Sequence, residues 1–458
     1  MKDFFNRFFK LDENKTSVKT EVIAGITTFM TMAYILAVNP DLLGKSGMDK
    51  NAVFTATVLA STLATLLMAL LANLPFVLSA GMGLNAYFTY TVVKQMGCSW
   101  QLALAAVFTE GIIFIILSLT NVREAIFNAI PKPLKTGVTV GIGLYIAIIG
   151  LKSAGIVIPN EDTLVKLISF KVWSPQTCAA LLAMFGILIT GTLMYRKVTG
   201  SILLGIIITW VLGMICEITG LYVPNPNLKL FSVIPNKIMS TDLTLAPTWC
   251  AFIEGFKQIP LTWSGLLGFF SILFAFLFVD LFDTIGTLIG CASSGNMLDK
   301  EGKLPGIKGA LTADAIGTTL GAALGTSTVT TFVESASGVS AGGRTGLTAL
   351  TASGLFFISM FFSPIFLTIP SFATAPALVM VGYLMVTQIT KINFEDPTDA
   401  VPAYISFISM PFFYSISEGI SFGIISYCFI NLISGNISKI HPLMYFLSIL
   451  FILKYALI

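Results

Sequence analysis

Residues 326–343 of this 458-residue chain have the sequence TSTVTTFVESASGVSAGG, a stretch that differs in composition from the segments around it. It lies between long apolar runs, yet it consists mostly of Ser, Thr and Gly and carries one carboxylate, Glu334. The β-branched run 328–331 favours extended backbone that leads into a short helix beginning near Glu334, with free N–H groups and the positive dipole end directed at a ligand. Irregular backbone at membrane depth is tolerated only beside a cavity. The stretch therefore predicts a broken helix at the wall of a cavity.

The composition is that of a membrane protein. Hydrophobic residues make up 55% of the chain, charged residues make up 11%, and the mean hydropathy is +0.88, which is too apolar for an ordinary water-soluble domain. The net charge of +3 is too small to indicate a nucleic-acid partner, and a single histidine, His441, does not favour histidine-based catalysis. The six cysteines are scattered singly, so no disulfide framework, metal site or cofactor is expected.

Apolar runs of about 17–25 residues, the length that spans a bilayer, recur along the chain. They lie near 21–39, 52–73, 100–119, 132–151, 175–194, 200–218, 265–290, 308–325, 346–364, 372–390, 398–415 and 417–434. Two further runs, 81–93 and 329–343, are shorter and are interrupted by glycine. Counted as half-spans, they predict an all-α polytopic membrane protein with about fourteen crossings. An apolar tail at 441–456 either spans the membrane or lies at its surface.

The two halves of the chain show a faint internal symmetry. Pro131 precedes one span, and Gly143 lies twelve residues after this proline. In the second half, Gly382 lies twelve residues after Pro370, which likewise precedes a span. Each half also has its interrupted segment in third position. Seven crossings per half is an odd number, so the halves insert with opposite orientation, as in the inverted repeats of secondary transporters. The substrate site is then expected where the paired broken helices meet, near the middle of the membrane.

Loop charges orient this arrangement, because cytoplasmic loops carry the excess of Lys and Arg. An N-terminus in the cytoplasm places these basic residues inside: Lys2, Arg7, Lys10, Lys15, Lys19, Arg123, Lys132, Lys135, Arg196, Lys197, Lys300, Lys303 and Lys308. The predicted divisions are a cytoplasmic N-terminal segment 1–20, a first repeat 21–218, an extracellular connecting segment 219–264, a second repeat 265–434 and a C-terminal apolar tail 435–458.

Two more carboxylates, Asp280 and Asp283, lie inside the apolar run SILFAFLFVDLFDTIGTLIG, residues 271–290. A carboxylate at the centre of a spanning helix costs about 2.5–3.5 kcal/mol, so it normally faces a partner, a cavity or a transported solute. With Thr284 and Thr287 the two aspartates follow an i, i+3, i+4, i+7 spacing on one helical face. A hydrogen-bonded seam between helices is the alternative interpretation, but two aspartates on that face favour a lined cavity.

In the first half, SAGMGLN at 79–85 is the matching break, and its glycines permit a close approach of the backbone. Asn85 offers both a donor and an acceptor to a ligand, with helix capping as the alternative role. Capping is likewise the alternative for Glu334. For Glu110 and Asp314, both within spans, the sequence favours a packing or gating hydrogen bond over ligand binding.

Three motifs resemble those of a known family: GMGLNAYF at 81–88, DLFDTIGT at 280–287 and LGTSTVTTFVESASGVSAGGRTGL at 324–347. They are similar to the azaguanine-type hypoxanthine/guanine permeases of the nucleobase-cation symporter-2 superfamily, and the resemblance covers essentially the whole chain. It implies fourteen helices in a seven-plus-seven inverted repeat, with a core domain that holds substrate and a gate domain that mediates dimer contacts. Core helices would then be 21–119 and 265–364, gate helices 132–218 and 372–434, and transport an elevator-like movement of core against gate.

The resemblance also implies roles for single residues. Asp283 and Glu334 match the two acids that hold the purine, and Asn85 matches a polar position of the third segment. Some related uracil and xanthine carriers have histidine where this chain has Thr287, which leaves acids as the candidates for proton coupling. The predicted substrate-binding residues are Asp283, Glu334, Asn85, Thr287, Val333 and Ser335, and the predicted proton-coupling residues are Asp283, Glu334 and Asp280.

The chemistry of a neutral purine fits two acids. Ionised carboxylates only accept hydrogen bonds, and hypoxanthine and guanine both present N1–H along the ring edge. Glu334 is expected to accept from N1–H and Asp283 from an imidazole N–H. Adenine lacks N1–H, so an adenine permease on the same fold is the alternative. Several acids in one poorly solvated pocket cannot all ionise at low cost, so one is expected to hold a proton that couples transport to the proton gradient.

Other functions are less well supported by the residues. An anion carrier for sulfate or bicarbonate would not place acids at both key positions. An intramembrane aspartyl protease needs catalytic aspartates on separate helices, typically with a GxGD-like motif, which the sequence lacks. A channel would carry a large purine-independent current. The sequence thus predicts a carrier, not an enzyme, in the plasma membrane, with purine, protons and lipid as partners and a homodimer formed through the gate helices.

Overall fold

The structure is a computed structural model that describes residues 2–119, 130–225, 230–241, 243–299 and 304–457. The helices of its first half are α1 (Lys2–Phe9), α2 (Val18–Met32), α3 (Ile35–Gly44), α4 (Lys50–Leu67), α5 (Met82–Ala86), α6 (Trp100–Leu119), α7 (Lys132–Ser153), α8 (Pro175–Tyr195) and α9 (Ser201–Ile218). π-helical turns extend α4 over Met68–Ala72 and α5 over Tyr87–Gln95. The strands of this half are β1 (Leu78–Ala80), β2 (Val157–Asn160) and β3 (Leu164–Leu167).

The second half repeats this order. Its helices are α10 (Phe252–Lys257), α11 (Trp263–Ser294), α12 (Ile307–Leu324), α13 (Ser335–Ser340), α14 (Gly346–Ser359), α15 (Ser363–Thr368), α16 (Ser371–Val386), α17 (Pro397–Phe413), α18 (Ile416–Ile433) and α19 (Pro442–Leu457). Strand β4 (Val329–Thr331) precedes α13, just as β1 precedes α5. A 3-10 turn, Thr387–Lys391, extends α16.

Within the described residues, ten helices are long and apolar enough to cross a membrane. These helices expose large apolar side chains outward, including Ile116, Phe185 and Leu188, which are 59%, 56% and 66% exposed. Such a surface is stable against lipid and costly in water. The chain is therefore a multi-pass membrane protein, as its composition predicts.

The two broken helices meet at the centre of the fold. Strands β1 and β4 pair antiparallel, with Ser79 opposite Thr330. The pairing continues symmetrically beyond both ends: the Gly81 N–H donates to the Thr328 carbonyl at 3.0 Å, and the Phe332 N–H donates to the Val77 carbonyl at 3.1 Å. Each strand satisfies the backbone groups of the other, which is the requirement for extended backbone away from water. The predicted pair of broken helices with extended segments is confirmed.

The glycines that mark the repeat in the sequence face each other in the structure. A Cβ on Gly143 would lie 2.7 Å from the Gly382 carbonyl oxygen, and a Cβ on Gly382 would lie 2.5 Å from the Gly143 carbonyl oxygen. The contact is reciprocal, as expected for equivalent residues of helices α7 and α16 across a pseudo-two-fold axis. Because real Cβ atoms do not approach this closely, glycine at both positions permits the crossing of the two helices.

The helices pack in two groups. In the core group, α2–α6 pack with α11–α15, and in the gate group, α7–α9 pack with α16–α18. Both halves of the chain contribute equivalent helices to each group, as an inverted repeat requires. Contacts of α5 and α11 with α7, and of α3 with α16, join the two groups.

Two segments have no definite structure assigned from the sequence. The tail forms helix α19, which packs on α18 and α11 and places Phe451 edge-on against Phe274 at 5.4 Å between ring centroids. The connection between α7 and α8 contains the β2–β3 hairpin, where Val157 lies opposite Leu167. Of the basic residues that orient the chain, Arg123, Lys300 and Lys303 lie outside the described residues.

A fully buried carboxylate, Glu21 on α2, fixes the start of α14. Its oxygens accept from the backbone N–H groups of Arg344 at 2.9 Å and Thr345 at 3.2 Å, and from the Thr348 hydroxyl at 2.6 Å. An acid at a helix N-terminus is favourable because the first N–H groups of a helix have no partner within it. Glu21 therefore stabilises the join of α2 to α14 within the core group.

Candidate functional site

A cavity of about 470 Å³ lies where the two broken helices face the gate group. This volume is in the range of small-molecule sites. Its core wall is formed by Tyr34, Gly81, Met82, Gly83, Phe282, Asp283, Gly286, Thr287, Gly290, Cys291, Thr331, Phe332, Val333, Glu334 and Ala336. Its gate wall is formed by Lys135, Thr136, Thr139, Ile146, Val381, Leu384, Met385, Gln388 and Lys391. The cavity thus lies at the crossing where a substrate site of an inverted repeat is expected.

Glu334 occupies the N-cap position of α13, but its side chain makes no capping hydrogen bond. Its Oε1 instead accepts a hydrogen bond of 2.6 Å from the Tyr34 hydroxyl. Tyr34 lies at the junction of α2 and α3, where the predicted span 21–39 is interrupted. A hydrogen bond to a charged acceptor is among the stronger ones in proteins and fixes the direction of the carboxylate. Tyr34 thus orients Glu334 at the cavity wall, a contact that nothing in the sequence identifies.

Asp283 extends from α11 toward the paired strands. Its Oδ2 accepts from the Thr330 hydroxyl of β4 at 3.3 Å. A Cβ on Gly81 would lie 3.8 Å from the same oxygen. The absence of a side chain at Gly81 therefore lets the first broken helix approach both Thr330 and Asp283.

The four polar residues on one face of α11 have two different surroundings, the cavity and helix α12. Asp283 and Thr287 line the cavity. Asp280 and Thr284 are fully buried behind it, where the Thr284 hydroxyl lies 2.9 Å from Asp280 Oδ1 and 2.8 Å from Asp314 Oδ1 of α12. Successive residues of an α-helix are rotated by about 100°, so an i, i+3, i+4, i+7 stripe covers roughly 100° and its edges face different elements. Both interpretations of the stripe, a lined cavity and a hydrogen-bonded seam, apply to different pairs of residues.

The remaining candidate residues fall into two sets. Val333 lines the cavity and is 55% exposed. Asn85 is fully buried behind the wall, where its Oδ1 accepts from the Ser327 hydroxyl and its Nδ2 donates to the Ala80 carbonyl at 3.4 Å. The Ser335 hydroxyl is also buried and accepts from the Val77 N–H at 3.0 Å. Asn85 and Ser335 therefore hold the two broken helices together in this structure.

Glu110 and Asp314 each accept a hydrogen bond from a threonine hydroxyl of the core group, in agreement with the hydrogen-bonding role that the sequence favours. The Thr328 hydroxyl donates to Glu110 Oε2 at 2.7 Å, which links α6 to the segment before β4. Within the described residues no cluster of three or more His, Cys, Asp or Glu side chains could hold a metal ion. In the contacts described above, Glu110 and Asp314 act as hydrogen-bond acceptors.

Fold and site together define a multi-pass membrane carrier built as an inverted repeat. The sequence model of the permease family Xan_ur_permease matches residues 19–440, and the chain belongs to that family. It is 47% identical to a putative permease of Methanocaldococcus jannaschii, over 99% of this chain and 98% of the relative. It is 42% identical to the guanine/hypoxanthine permease PbuG of Bacillus subtilis, over 98% of both chains. It is 40% identical to the adenine permease AdeP of Escherichia coli, over 99% of this chain and 96% of the relative. Family membership confirms the predicted class, a transporter and not an enzyme.

The fold also occurs among distant solved structures. The transmembrane domain of the cyanobacterial bicarbonate transporter BicA superposes with a TM-score of 0.60, covering 88% of this chain and 97% of that domain. Sequence identity over the superposition is 13%, so the likeness concerns the fold alone. The predicted fold class is confirmed.

Proposed function

We propose that this chain imports hypoxanthine and guanine across the plasma membrane by proton symport. The observation that carries the proposal is the pair of carboxylates, Asp283 and Glu334, that line one cavity beside the crossing of the broken helices. Their acceptors suit the N–H groups of an oxopurine, and the apolar wall from Phe282 and Phe332 suits the faces of a planar ring. The guanine/hypoxanthine permease relative supports the same substrate class.

Adenine is the second candidate substrate, because a relative of similar identity is an adenine permease. The two substrates differ in the group that meets Glu334. An oxopurine offers N1–H to the carboxylate, whereas adenine offers a ring nitrogen that only accepts. A site that accepts hydrogen bonds rejects the mismatched base strongly, because its buried polar groups then lack partners.

The division into two helix groups supports an elevator-like movement of the substrate. The core helices, 21–119 and 265–364, hold Asp283 and Glu334, and the gate helices, 132–218 and 372–434, form the facing wall. An elevator-like displacement of core against gate would expose the cavity to each side of the membrane in turn. The exposed apolar face of the gate group, including Phe185 and Leu188, suits a homodimer contact within lipid.

Proton coupling assigns a second task to the acids. Asp280, Asp283 and Glu334 all belong to the core group and therefore move with the substrate. Protonation of one of them reduces the cost of burying several negative charges together. With the N-terminus in the cytoplasm, the cavity mouth near Lys135 and Lys391 faces the cytoplasm, where substrate and proton would be released.

Uptake of radiolabelled hypoxanthine into purine-transport-deficient bacterial cells tests the proposal. Cells that express the chain are expected to accumulate labelled hypoxanthine. Unlabelled guanine is expected to reduce this uptake by competition, and a protonophore is expected to stop it. Xanthine and uracil are expected to compete poorly. Dominant competition by adenine would transfer the proposal to the second candidate. An absence of purine uptake by well-expressed protein would contradict both candidates.

A further inference from the structure

A charged cluster outside the cavity lies on α3 and the start of α4. Asp41 is 8% exposed and accepts from two lysines of its own group, Lys45 at 2.9 Å and Lys50 at 3.1 Å. Two cations around one buried carboxylate satisfy its charge within the core group. The cluster thus retains its ion pairs wherever the core group moves.

The same cluster contacts both central helices of the gate group. The hydroxyl of Ser371, the first residue of α16, lies 3.1 Å from each carboxylate oxygen of Asp41. Lys45 Nζ donates to the hydroxyl of Ser153, the last residue of α7, at 3.2 Å. Hydrogen bonds that involve an ionised partner are about twice as strong as neutral ones. Core and gate are therefore joined here by charge-assisted bonds.

The cluster and the cavity mouth lie at opposite ends of the gate helices. Lys135 in the first turn of α7 and Lys391 beyond the end of α16 line the cavity. Ser153 and Ser371 lie at the other ends of these two helices. The 22 residues of α7 span roughly 33 Å at 1.5 Å per residue. The cavity therefore extends to one end of these helices, where Lys391 is exposed, and the polar contacts of the cluster lie at the other end.

We propose that Asp41, Lys45 and Lys50 form a lock with Ser371 and Ser153 that stabilises the state seen here. The lock must open before the cavity can be exposed at the opposite face of the membrane. It opens without breaking the ion pairs, because only the two serine hydroxyls leave and the buried carboxylate keeps both lysines. This inference rests on the alternating-access part of the proposed function and adds positioning residues remote from the substrate.

Accessibility of a cysteine reporter tests the lock. Val333→Cys on the exposed core wall is introduced after the six native cysteines are replaced, and sealed membranes of both orientations are treated with a membrane-impermeant maleimide in the absence of purine. Adding Ser371→Ala is expected to raise the labelling rate from the locked face about tenfold, since a hydrogen bond to a charged group is worth at least that factor in an equilibrium constant. Asp41→Asn is expected to act in the same direction.

Two controls separate a lock from a general loss of structure. Ser421→Ala removes a buried gate hydroxyl that donates to the Ser417 carbonyl within α18, and it should leave labelling unchanged. Combining Asp41→Asn with Ser371→Ala should add little to the effect of Asp41→Asn alone, because the contact that Ser371→Ala removes has then already lost its charged partner. Unchanged labelling in folded Ser371→Ala protein, or an equal rise in Ser421→Ala, would overturn the lock. Since no purine is present, this result does not depend on which solute is transported.

Discussion

Replacement of Glu334 by Gln is expected to reduce purine uptake at least about a hundredfold. The amide would replace one of the two acceptor oxygens, which serve Tyr34 and the substrate, with an NH2 group that only donates. Hydrogen bonds to a charged group contribute roughly 1.5–3 kcal/mol each, and 1.4 kcal/mol corresponds to a factor of ten. Asp283→Asn is expected to have a comparable effect. Initial rates of hypoxanthine uptake, normalised to the amount of protein in the membrane, provide the measurement.

Two further variants show whether a loss of uptake arises from a change in the substrate site. Tyr34→Phe removes the hydroxyl that orients Glu334 and should cost roughly tenfold, less than loss of the acid itself. Glu254→Gln changes an acid that is 61% exposed and paired with Lys257, and uptake should remain near wild type. Wild-type uptake in well-folded Glu334→Gln protein would remove Glu334 from the binding site.

Substitution of Gly81 by Ala is expected to abolish transport by separating the two broken helices. The added Cβ would lie 2.3 Å from Thr330 Cγ2, far inside van der Waals contact. Overpacking of this kind typically costs about 1–3 kcal/mol and displaces neighbouring groups. Since the Thr330 hydroxyl donates to Asp283, the displacement also disturbs the acid. Loss of hypoxanthine uptake, together with a lower thermal unfolding temperature in detergent, is the expected result.

The clash with a single methyl group allows a rescue. Thr330→Ser removes Cγ2 and keeps the hydroxyl, so the double variant Gly81→Ala with Thr330→Ser should regain most of the lost uptake. Gly354→Ala serves as the matched control, because a Cβ there meets nothing within 4 Å, and it should be neutral or slightly stabilising. Failure of Thr330→Ser to restore any uptake would contradict the steric explanation.

The sequence was sufficient to predict the central break because its composition changes abruptly there. Ser, Thr and Gly at 326–343 interrupt apolar runs, and β1 pairs with β4 as the matching interruption suggests. The equal spacing of Gly143 and Gly382 from their prolines likewise predicted equivalent positions, which contact each other. Such features are local in sequence, and symmetry relates them without knowledge of the packing.

Contacts between distant segments could not be predicted in this way. Tyr34 lies in the predicted span 21–39, and residues 26–39 around it contain neither Gly nor Pro, so neither the junction of α2 and α3 nor the bond of Tyr34 to Glu334 has a local signal. The division of the α11 stripe depends on α12, which places Asp314 opposite Asp280 and Thr284. Polar residues could be assigned to a helical face, but their partners are set by tertiary packing.

The pairing of β1 with β4 also sets the order of events during synthesis. Leu78 pairs with Thr331, which is made 253 residues later (331 minus 78). At about 5–20 residues per second, the first strand waits roughly 13–50 s for its partner while the intervening helices insert. Throughout that interval its N–H and C=O groups lack the bonds that the finished fold provides, and nonpolar lipid cannot supply them. The nascent chain must therefore be sheltered by water, by the insertion machinery or by a chaperone until its second half emerges.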